Sequence, residues 1–207
     1  MPLVYQQNIN GQTKIGVWHI IEPPDFFLQL VPLQNSITHP HKRLQHLAGR
    51  LILTELYDDF PVKLIRIADT RKPFLEEEAF HFSISHCGDY AAAIVSTINR
   101  VGVDIEFPTL KVERIQYKFL TEGEINILAQ TGLDKVQYLT LAWCIKESIF
   151  KWYGSGQLDF KNHMKIVNVT IDGAQFAAEC NLTKNEEKRL HLKGIKINEN
   201  FLTWIVT

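Results

Sequence analysis

The sequence predicts an α+β chain of two similar lobes, residues 1–98 and 101–207, with a cleft at the seam between them. Three observations predict it. The order strand, helices, strands runs through the chain twice. Within each half, β-branched strand-like stretches give way to helical periods of three and four. The composition is that of an ordinary globular protein, 45% hydrophobic and 22% charged over 207 residues, enough for one large domain or two small ones. The halves share no residue-level identity, so the repeat is one of architecture. Clefts form where two such halves meet.

Charge and cysteine content narrow the function classes. A net charge of −1 supplies no global field to steer nucleic acid or membrane. Cys87, Cys144 and Cys180 are an odd, widely spaced set without a C-x-x-C. They argue against a disulfide framework or zinc site and for a reducing compartment. The first ten residues, M-P-L-V-Y-Q-Q-N-I-N, have neither the basic nor the long apolar region of a secretion signal. No run approaches the length of a membrane span. The expectation is a cytoplasmic protein.

In the first half, Lys14–Ile21 reads as a strand ended by Glu22-Pro23-Pro24. Asp25 is placed to cap a short helix over Phe26–Leu33. A longer helix, His39–Phe60, carries Leu44, Leu47, Leu51, Ile52 and Leu56 at helical spacing, with Lys42, Arg43 and Arg50 in its first half. Pro61 stops it. A short strand near Lys63–Ala68, a polar turn at 69–73 and a solvated loop at Glu76–Glu78 follow. Phe80–Ser85 and Tyr90–Thr97 read as strands joined by the turn His86-Cys87-Gly88-Asp89.

In the second half, Val101–Glu106 is a strand. Helical periodicity covers Leu110–Phe119. Thr121-x-x-Glu124 has the form of a capping box opening a helix to about Thr131. A long helix spans Asp134–Tyr153 and closes on Gly154-Ser155-Gly156. Strands over Lys165–Asp172, Gln175–Asn181, Leu190–Lys196 and Phe201–Val206 complete the chain, with Asp172-Gly173 as a tight turn.

Chemistry concentrates in two stretches. V-G-V-D-I-E (101–106) alternates with the period of a half-buried strand, so Val101, Val103 and Ile105 face one way and Gly102, Asp104 and Glu106 the other. Two carboxylates on one face repel unless they share a cation. Hard oxygen ligands without His or Cys suit Mg²⁺, which takes one or two carboxylates plus substrate phosphates. An edge strand with solvated acids is the plain alternative. About forty residues on, W-C-I-K-E-S-I-F-K (143–151) puts Trp143, Glu147 and Lys151 on one helical face. A lone Glu147–Lys151 pair would be a surface ion pair contributing about 0.2–0.5 kcal/mol. Together with Asp104, Glu106, Glu124 and Lys146, it becomes a site for a metal and a polyphosphate.

These blocks resemble the 4′-phosphopantetheinyl transferase superfamily, in its Sfp-type, monomeric, two-lobed form. The resemblance rests on K-R-L-Q-H-L-A-G-R (42–50), K-P (72–73), F-S-I-S-H (82–86), V-G-V-D-I-E (101–106), F-L-T-E-G-E (119–124) and W-C-I-K-E-S-I-F-K (143–151). Arg71 departs from the family, which often has Gly before K-P. The resemblance implies two lobes related by a pseudo-twofold axis, with the active site in the cleft between them. The 1–98 lobe would hold the nucleotide end of coenzyme A. The 101–207 lobe would hold the metal and the catalytic helix. The implied reaction moves the phosphopantetheine arm of coenzyme A to a serine of an apo acyl or peptidyl carrier protein and releases adenosine 3′,5′-bisphosphate.

The same resemblance implies the roles. Asp104, Glu106 and Glu124 would hold Mg²⁺. Lys146 and Lys151 would neutralise phosphate charge. Glu147 is the candidate base, with Glu124 and a metal-bound water as alternatives. Ser85 and His86, with Lys42, Arg43 and Arg50, would hold the 3′-phosphate, and Lys72 and Pro73 would border the adenine. The carrier could serve fatty-acid, polyketide or nonribosomal-peptide synthesis. Neither nucleic acid nor membrane is an expected partner, and the enzyme is expected to be a monomer.

Rival readings follow from the same residues. A catalytically impaired relative that binds carriers would be expected to lose the carboxylates, which this chain keeps. Another Mg²⁺-dependent phosphotransfer enzyme lacks its commonest signature here, G-x-x-x-x-G-K-[ST]. Ser85-His86 is no hydrolase dyad, because neighbours on a strand point to opposite faces and no G-x-S-x-G elbow exists. Trp143 reads as core packing.

Overall fold

The computed structural model describes residues 3–33 and 37–207. Of the first ten residues, Met1 and Pro2 lie outside the described part. The chain is α+β, with eleven strands and five α-helices among the described residues.

A four-stranded antiparallel sheet comes first. Its strands are β1 (Leu3–Asn10), β2 (Thr13–His19), β5 (His81–Cys87) and β6 (Tyr90–Ser96), in the order β1-β2-β6-β5. β1 is absent from the sequence expectation. Its mixed polar residues are mostly exposed at the sheet edge, so no apolar alternation marks it. Helices α1 (Pro24–Leu30) and α2 (Pro40–Leu56) pack on this sheet through Phe27, Leu47, Leu51 and Leu53. α1 starts one residue before Asp25, which does not cap it; Pro23 stands at the N-cap without a side-chain bond. α2 begins where expected, with the His39 ring accepting from the Lys42 N–H, but it ends four residues before Phe60. A short 3₁₀ turn, Val62–Leu64, precedes a small hairpin of β3 (Arg66–Ile67) and β4 (Pro73–Phe74).

The second sheet has five antiparallel strands, β7 (Val101–Glu106), β8 (Met164–Asp172), β9 (Gln175–Leu182), β10 (Lys188–Ile197) and β11 (Asn200–Val206). Their order is β7-β11-β10-β9-β8. Helices α3 (Lys111–Phe119), α4 (Glu122–Ala129) and α5 (Lys135–Tyr153) belong to this half. Asp134 and Gln137 form a full capping box at the start of α5, and Gly154 ends it in a left-handed conformation. No described helix is long and apolar enough to cross a membrane.

β7 joins the two sheets. It is an edge strand, but it is buried on both faces rather than half-buried. Val101, Val103 and Ile105 pack with Ile15, Val17, Ala92 and Ile94 of the first sheet. The opposite face lies under α5. Gly102 makes that approach: a Cβ there would stand 2.3 Å from the Ser148 carbonyl and 2.7 Å from Trp152 Cβ. The open edge of β7 runs beside β5 and is tied to it by side chains. Ser83 Oγ accepts from the Val103 N–H at 3.2 Å, and Cys87 Sγ accepts from the Phe107 N–H at 3.3 Å.

Candidate active site

The alternation of β7 aims Asp104 beneath α5, and the helical period of α5 brings Glu147 and Lys151 to the same place. Asp104 is 2% exposed. Its Oδ1 accepts from Lys151 Nζ at 2.6 Å and from Ser85 Oγ at 2.7 Å. Its Oδ2 is buried and has no hydrogen-bond partner. A buried carboxylate oxygen without a partner costs on the order of a few kcal/mol, so it marks a place for a missing positive group. Burial, and then the charge of Asp104, push Glu106 up from the ordinary 4.5 to about 7. The same two causes push Glu147 up to about 7. For Lys151, burial works against the charge, but Asp104 and then Glu147 outweigh it and hold the ammonium above its usual range. Three carboxylates thus act on one another across one lysine.

Two of the expected site residues stand elsewhere. Glu124 was expected beside Asp104 and Glu106 as a metal ligand, with a possible role as base. Instead, Oε2 accepts from the Thr121 N–H and hydroxyl at 2.8 and 2.9 Å, and Oε1 accepts from the Ile166 N–H at 3.0 Å and from Lys146 at 2.6 Å. The capping box read in T-E-G-E is real, and it uses up the carboxylate. Lys146 was expected on phosphate. Its ammonium is 0% exposed and donates to the carbonyls of Phe119, Phe160 and Met164 as well as to Glu124. Three donors with four acceptors leave nothing for a ligand. Neighbouring positions on a helix point about 100° apart, so Lys146 and Glu147 serve different surroundings. Ser85 likewise faces Asp104 and not an outside phosphate.

His86, next to Ser85, points outward and is exposed. Burial on its packed side, and then Lys151, lower its pKa, so the ring is neutral at neutral pH. The first turns of α2 stand nearby. His41 Nε2 lies 2.9 Å from Asp89 Oδ1. Arg50 is buried and contacts His46 Nδ1 at 3.0 Å. Burial, Arg50 and His86 push His46 down to about 4. Lys42 is exposed and Arg43 half-buried on the same helix. His41, His46 and Lys151 are close enough to His86 for their charges and its own to act on one another.

A pocket of about 200 Å³ joins the two halves. Glu147, Phe150 and Lys151 of α5 line one side, and Arg71, Lys72, Pro73, Phe82 and Ile84 line the other. Burial and the neighbouring Arg100 push Lys72 down to about 8. Gly154 makes room for that ammonium, since a Cβ would stand 2.4 Å from Lys72 Nζ. Trp143 packs between Phe119 and Phe160, with ring centroids 5.1 and 5.4 Å away. The sequence reading passed over Ser83, Cys87 and Phe150. The first two had a signal: in F-S-I-S-H-C, Ser83, Ser85 and Cys87 fall on one face of a strand.

Asp104, Glu106 and Glu147 are oxygen donors suited to a hard divalent cation such as Mg²⁺. The orphaned Asp104 Oδ2 and the two raised carboxylates fit such an ion. Among the described residues, no group of three or more Asp, Glu, His or Cys side chains stands together so as to hold a metal ion by itself. Mg²⁺ typically takes only one or two carboxylates and fills the rest of its shell with water and substrate phosphate.

Comparison with known proteins points the same way. Enterobactin synthase component D of Escherichia coli is 35% identical over 113 residues, covering 53% of this chain and 54% of that protein. A putative 4′-phosphopantetheinyl transferase of Haemophilus influenzae is 28% identical over 102 residues, 47% of this chain and 43% of that one. The L-aminoadipate-semialdehyde dehydrogenase-phosphopantetheinyl transferase of Xenopus laevis is 32% identical over 130 residues, 53% of this chain and 43% of that one. The chain spans about half the length of the curated relatives it matches. The family model of the 4′-phosphopantetheinyl transferase superfamily matches residues 100–203, which take in β7, α5 and every carboxylate of the site. With a match over half its length and the site inside it, the chain belongs to the 4′-phosphopantetheinyl transferase superfamily.

Proposed function

We propose that the chain transfers the 4′-phosphopantetheine arm of coenzyme A to a serine of an apo carrier protein in a Mg²⁺-dependent reaction, acting as a monomer. One observation carries the reading. Asp104 Oδ2 is buried and unpartnered beside two carboxylates that stay protonated up to about pH 7. Such a cluster sets one cation, Lys151, against three carboxylates, and the reaction needs a further positive charge at a pyrophosphate.

Asp104 and Glu106 would hold the ion, with Glu147 facing them. When bound, Mg²⁺ supplies positive charge against the pyrophosphate oxygens. Lys151, fixed by Asp104 at 2.6 Å, places a second positive charge at the departing phosphate. Glu147 has the basicity to take the serine proton near neutral pH, which is where a general base works best. The serine oxygen then forms a bond to the β-phosphorus of coenzyme A, the bridging P–O bond breaks, and adenosine 3′,5′-bisphosphate leaves. His86, with Lys42, Arg43 and Arg50 behind it, would meet the 3′-phosphate. Pro73 and Lys72 would border the adenine.

The test is intact-mass spectrometry. The chain is incubated with coenzyme A, Mg²⁺ and a panel of apo acyl and peptidyl carrier proteins. A gain of one phosphopantetheine on the carrier serine is expected, abolished by chelation of Mg²⁺ and by Glu106→Gln. If no carrier gains mass with folded wild-type chain, the reading fails; an activity that survives chelation removes the metal from it.

A further inference from the structure

We infer that Thr203 is a positioning residue for the proposed transfer. Its hydroxyl, bonded to α5, fixes the rotation of that helix and so holds Glu147 and Lys151 against Asp104. The inference rests on the transferase reading above and adds to it a residue behind the site.

Strand β11 carries the first part. Thr203 is fully buried, and its four nearest neighbours in the strand, Phe201, Leu202, Trp204 and Ile205, are buried and apolar. Valine has nearly the same shape and suits such a strand, so packing does not call for the hydroxyl. In the register of β7 and β11, Thr203 is paired with Asp104. Paired residues of antiparallel strands project to the same face, so both lie under α5.

The hydroxyl meets the helix. It donates to the Cys144 carbonyl at 2.9 Å and bonds the Ser148 hydroxyl. Ser148 Oγ also stands 3.1 Å from the Thr203 carbonyl, to which it can donate. To either side, the Cys144 thiol donates to the Phe201 carbonyl at 3.2 Å, and the Trp152 indole N–H donates to the Thr207 hydroxyl at 3.0 Å. Positions 144, 148 and 152 thus form one stripe of α5, fastened to β11 and the residue after it. At about 100° per residue, Glu147 and Lys151 form a parallel stripe about 60° away. That second stripe reaches Asp104, with Lys151 Nζ 2.6 Å from Oδ1. Any rotation of α5 about its axis moves both stripes together. Apolar contact is non-directional, and Gly102 fixes only how close the helix lies; hydrogen bonds have direction, so they choose the rotation. Thr203 is at the middle of the fastened stripe and level with Asp104. Removing its hydroxyl strands no buried group, because Ser148 keeps the carbonyl of residue 203 and the Cys144 carbonyl keeps its helical N–H.

The test compares wild type with Thr203→Val, Thr203→Ala and Thr203→Ser. Three things are measured: turnover, well below each melting temperature, on the apo carrier that gains mass in the assay above; coenzyme A binding by titration calorimetry; and crystal structures. Turnover should fall roughly tenfold in the valine and alanine variants, which lack the hydroxyl, and stay within about twofold of wild type in Thr203→Ser. KM and Kd for coenzyme A should hold in all three, since no ligand contact is removed. In crystals of Thr203→Val, Lys151 Nζ should stand outside hydrogen-bond reach of Asp104 Oδ1; in Thr203→Ser it should stand within it. A Thr203 that only fills space would order the variants by volume instead, with valine nearest wild type, and that order overturns the proposal. So does an unmoved Lys151 in Thr203→Val, or a loss of coenzyme A affinity that matches the loss of turnover. If the valine variant does not fold, alanine against serine, which differ by the one oxygen, decides in the same way. If wild type transfers to no carrier, the transferase reading fails, and the position of Lys151 in the crystals still decides whether Thr203 sets α5.

Discussion

At the scale of single residues, the three carboxylates behave differently from one another. Asp104→Asn would do more than remove a proposed metal ligand, because it leaves Lys151 partly buried without its counter-charge. Breaking such a pair costs on the order of 3–5 kcal/mol. Glu106→Gln and Glu147→Gln are cleaner. Glu147 has its pKa raised from 4.5 to about 7 in the folded chain. The folded state therefore favours the protonated form; the associated stability is full below about pH 4.5 and is lost as pH rises through about 7. Glutamine imitates that protonated form. Without Mg²⁺, Glu147→Gln should melt near wild type at pH 5 and above it at pH 8, as read by differential scanning fluorimetry. The comparison must be between variants, because His46, held down near 4, gives wild type the opposite slope between about 4 and 6.5. A difference that does not grow with pH would mean that Glu147 is not held protonated. His86 gives a second residue-scale test. Its lowered pKa leaves it neutral until an anion arrives, so ligand binding should take up a proton and strengthen as pH falls. A hydrogen bond to a charged group contributes about 1.5–3 kcal/mol, so His86→Ala should weaken coenzyme A binding roughly ten- to hundredfold. Dephospho-coenzyme A should be affected far less, and equal losses would limit His86 to holding its turn. Strand and helix periods told from sequence which faces Asp104, Glu147 and Lys151 take, and the family resemblance supplied the roles proposed for them. Those of Glu124 and Lys146 were misread because spacing does not say which side of α5 is covered by the 158–166 segment.

At the scale of elements, the site depends on how closely α5 lies on β7. Gly102 sets that distance. Gly102→Ala would push a methyl group into the Ser148 carbonyl and Trp152, both of which are core. Overpacking of this kind costs typically about 1–3 kcal/mol. It would also lift Glu147 and Lys151 away from Asp104, so turnover should fall further than the melting temperature implies. Turnover that stays level in a destabilised Gly102→Ala would show that the spacing of α5 and β7 does not govern the chemistry. α5 itself was legible to within a residue, since Asp134 and Gln137 cap it, Gly154 ends it, and its capping groups are local in sequence. The two-residue strand β4 was not, because it carries no period to read, whereas β3 falls inside the short strand expected near Lys63–Ala68. β7 was read as half-buried for a related reason. Alternation shows that two faces differ, and Gly102 and Asp104 look polar, but only α5 packing over them makes that face interior.

At the scale of the whole molecule, the chain divides in sequence where it does not divide in packing. Residues 1–98 hold the four-stranded sheet, the small β3–β4 hairpin and two α-helices, and residues 101–207 hold the five-stranded sheet and three α-helices. Yet Ile15, Val17, Ala92 and Ile94 of one sheet share a continuous buried cluster with Val101, Val103, Ile105, Leu202 and Trp204 of the other. The ties across the seam, Ser83 to the Val103 N–H and Ser85 to Asp104, are buried too. Separating the halves would uncover parts of eight large apolar side chains and Ala92, a large side chain contributing roughly 1.5–3 kcal/mol when fully buried. A domain is only marginally stable, by about 5–15 kcal/mol, so neither half can lose that face and remain folded. Calorimetric unfolding should therefore show one transition, with calorimetric and van't Hoff enthalpies equal. On the proposed reading, saturating Mg²⁺ should move it upward as a single peak, because an ion held by carboxylates beside the seam would stabilise only the native chain. Expressed alone, residues 1–98 and 101–207 should each give the exchange and fluorescence signature of an unfolded or aggregating chain. Two resolved transitions, or a half that folds by itself, would mean that the cleft separates independent domains and that the shared cluster is an ordinary domain interface.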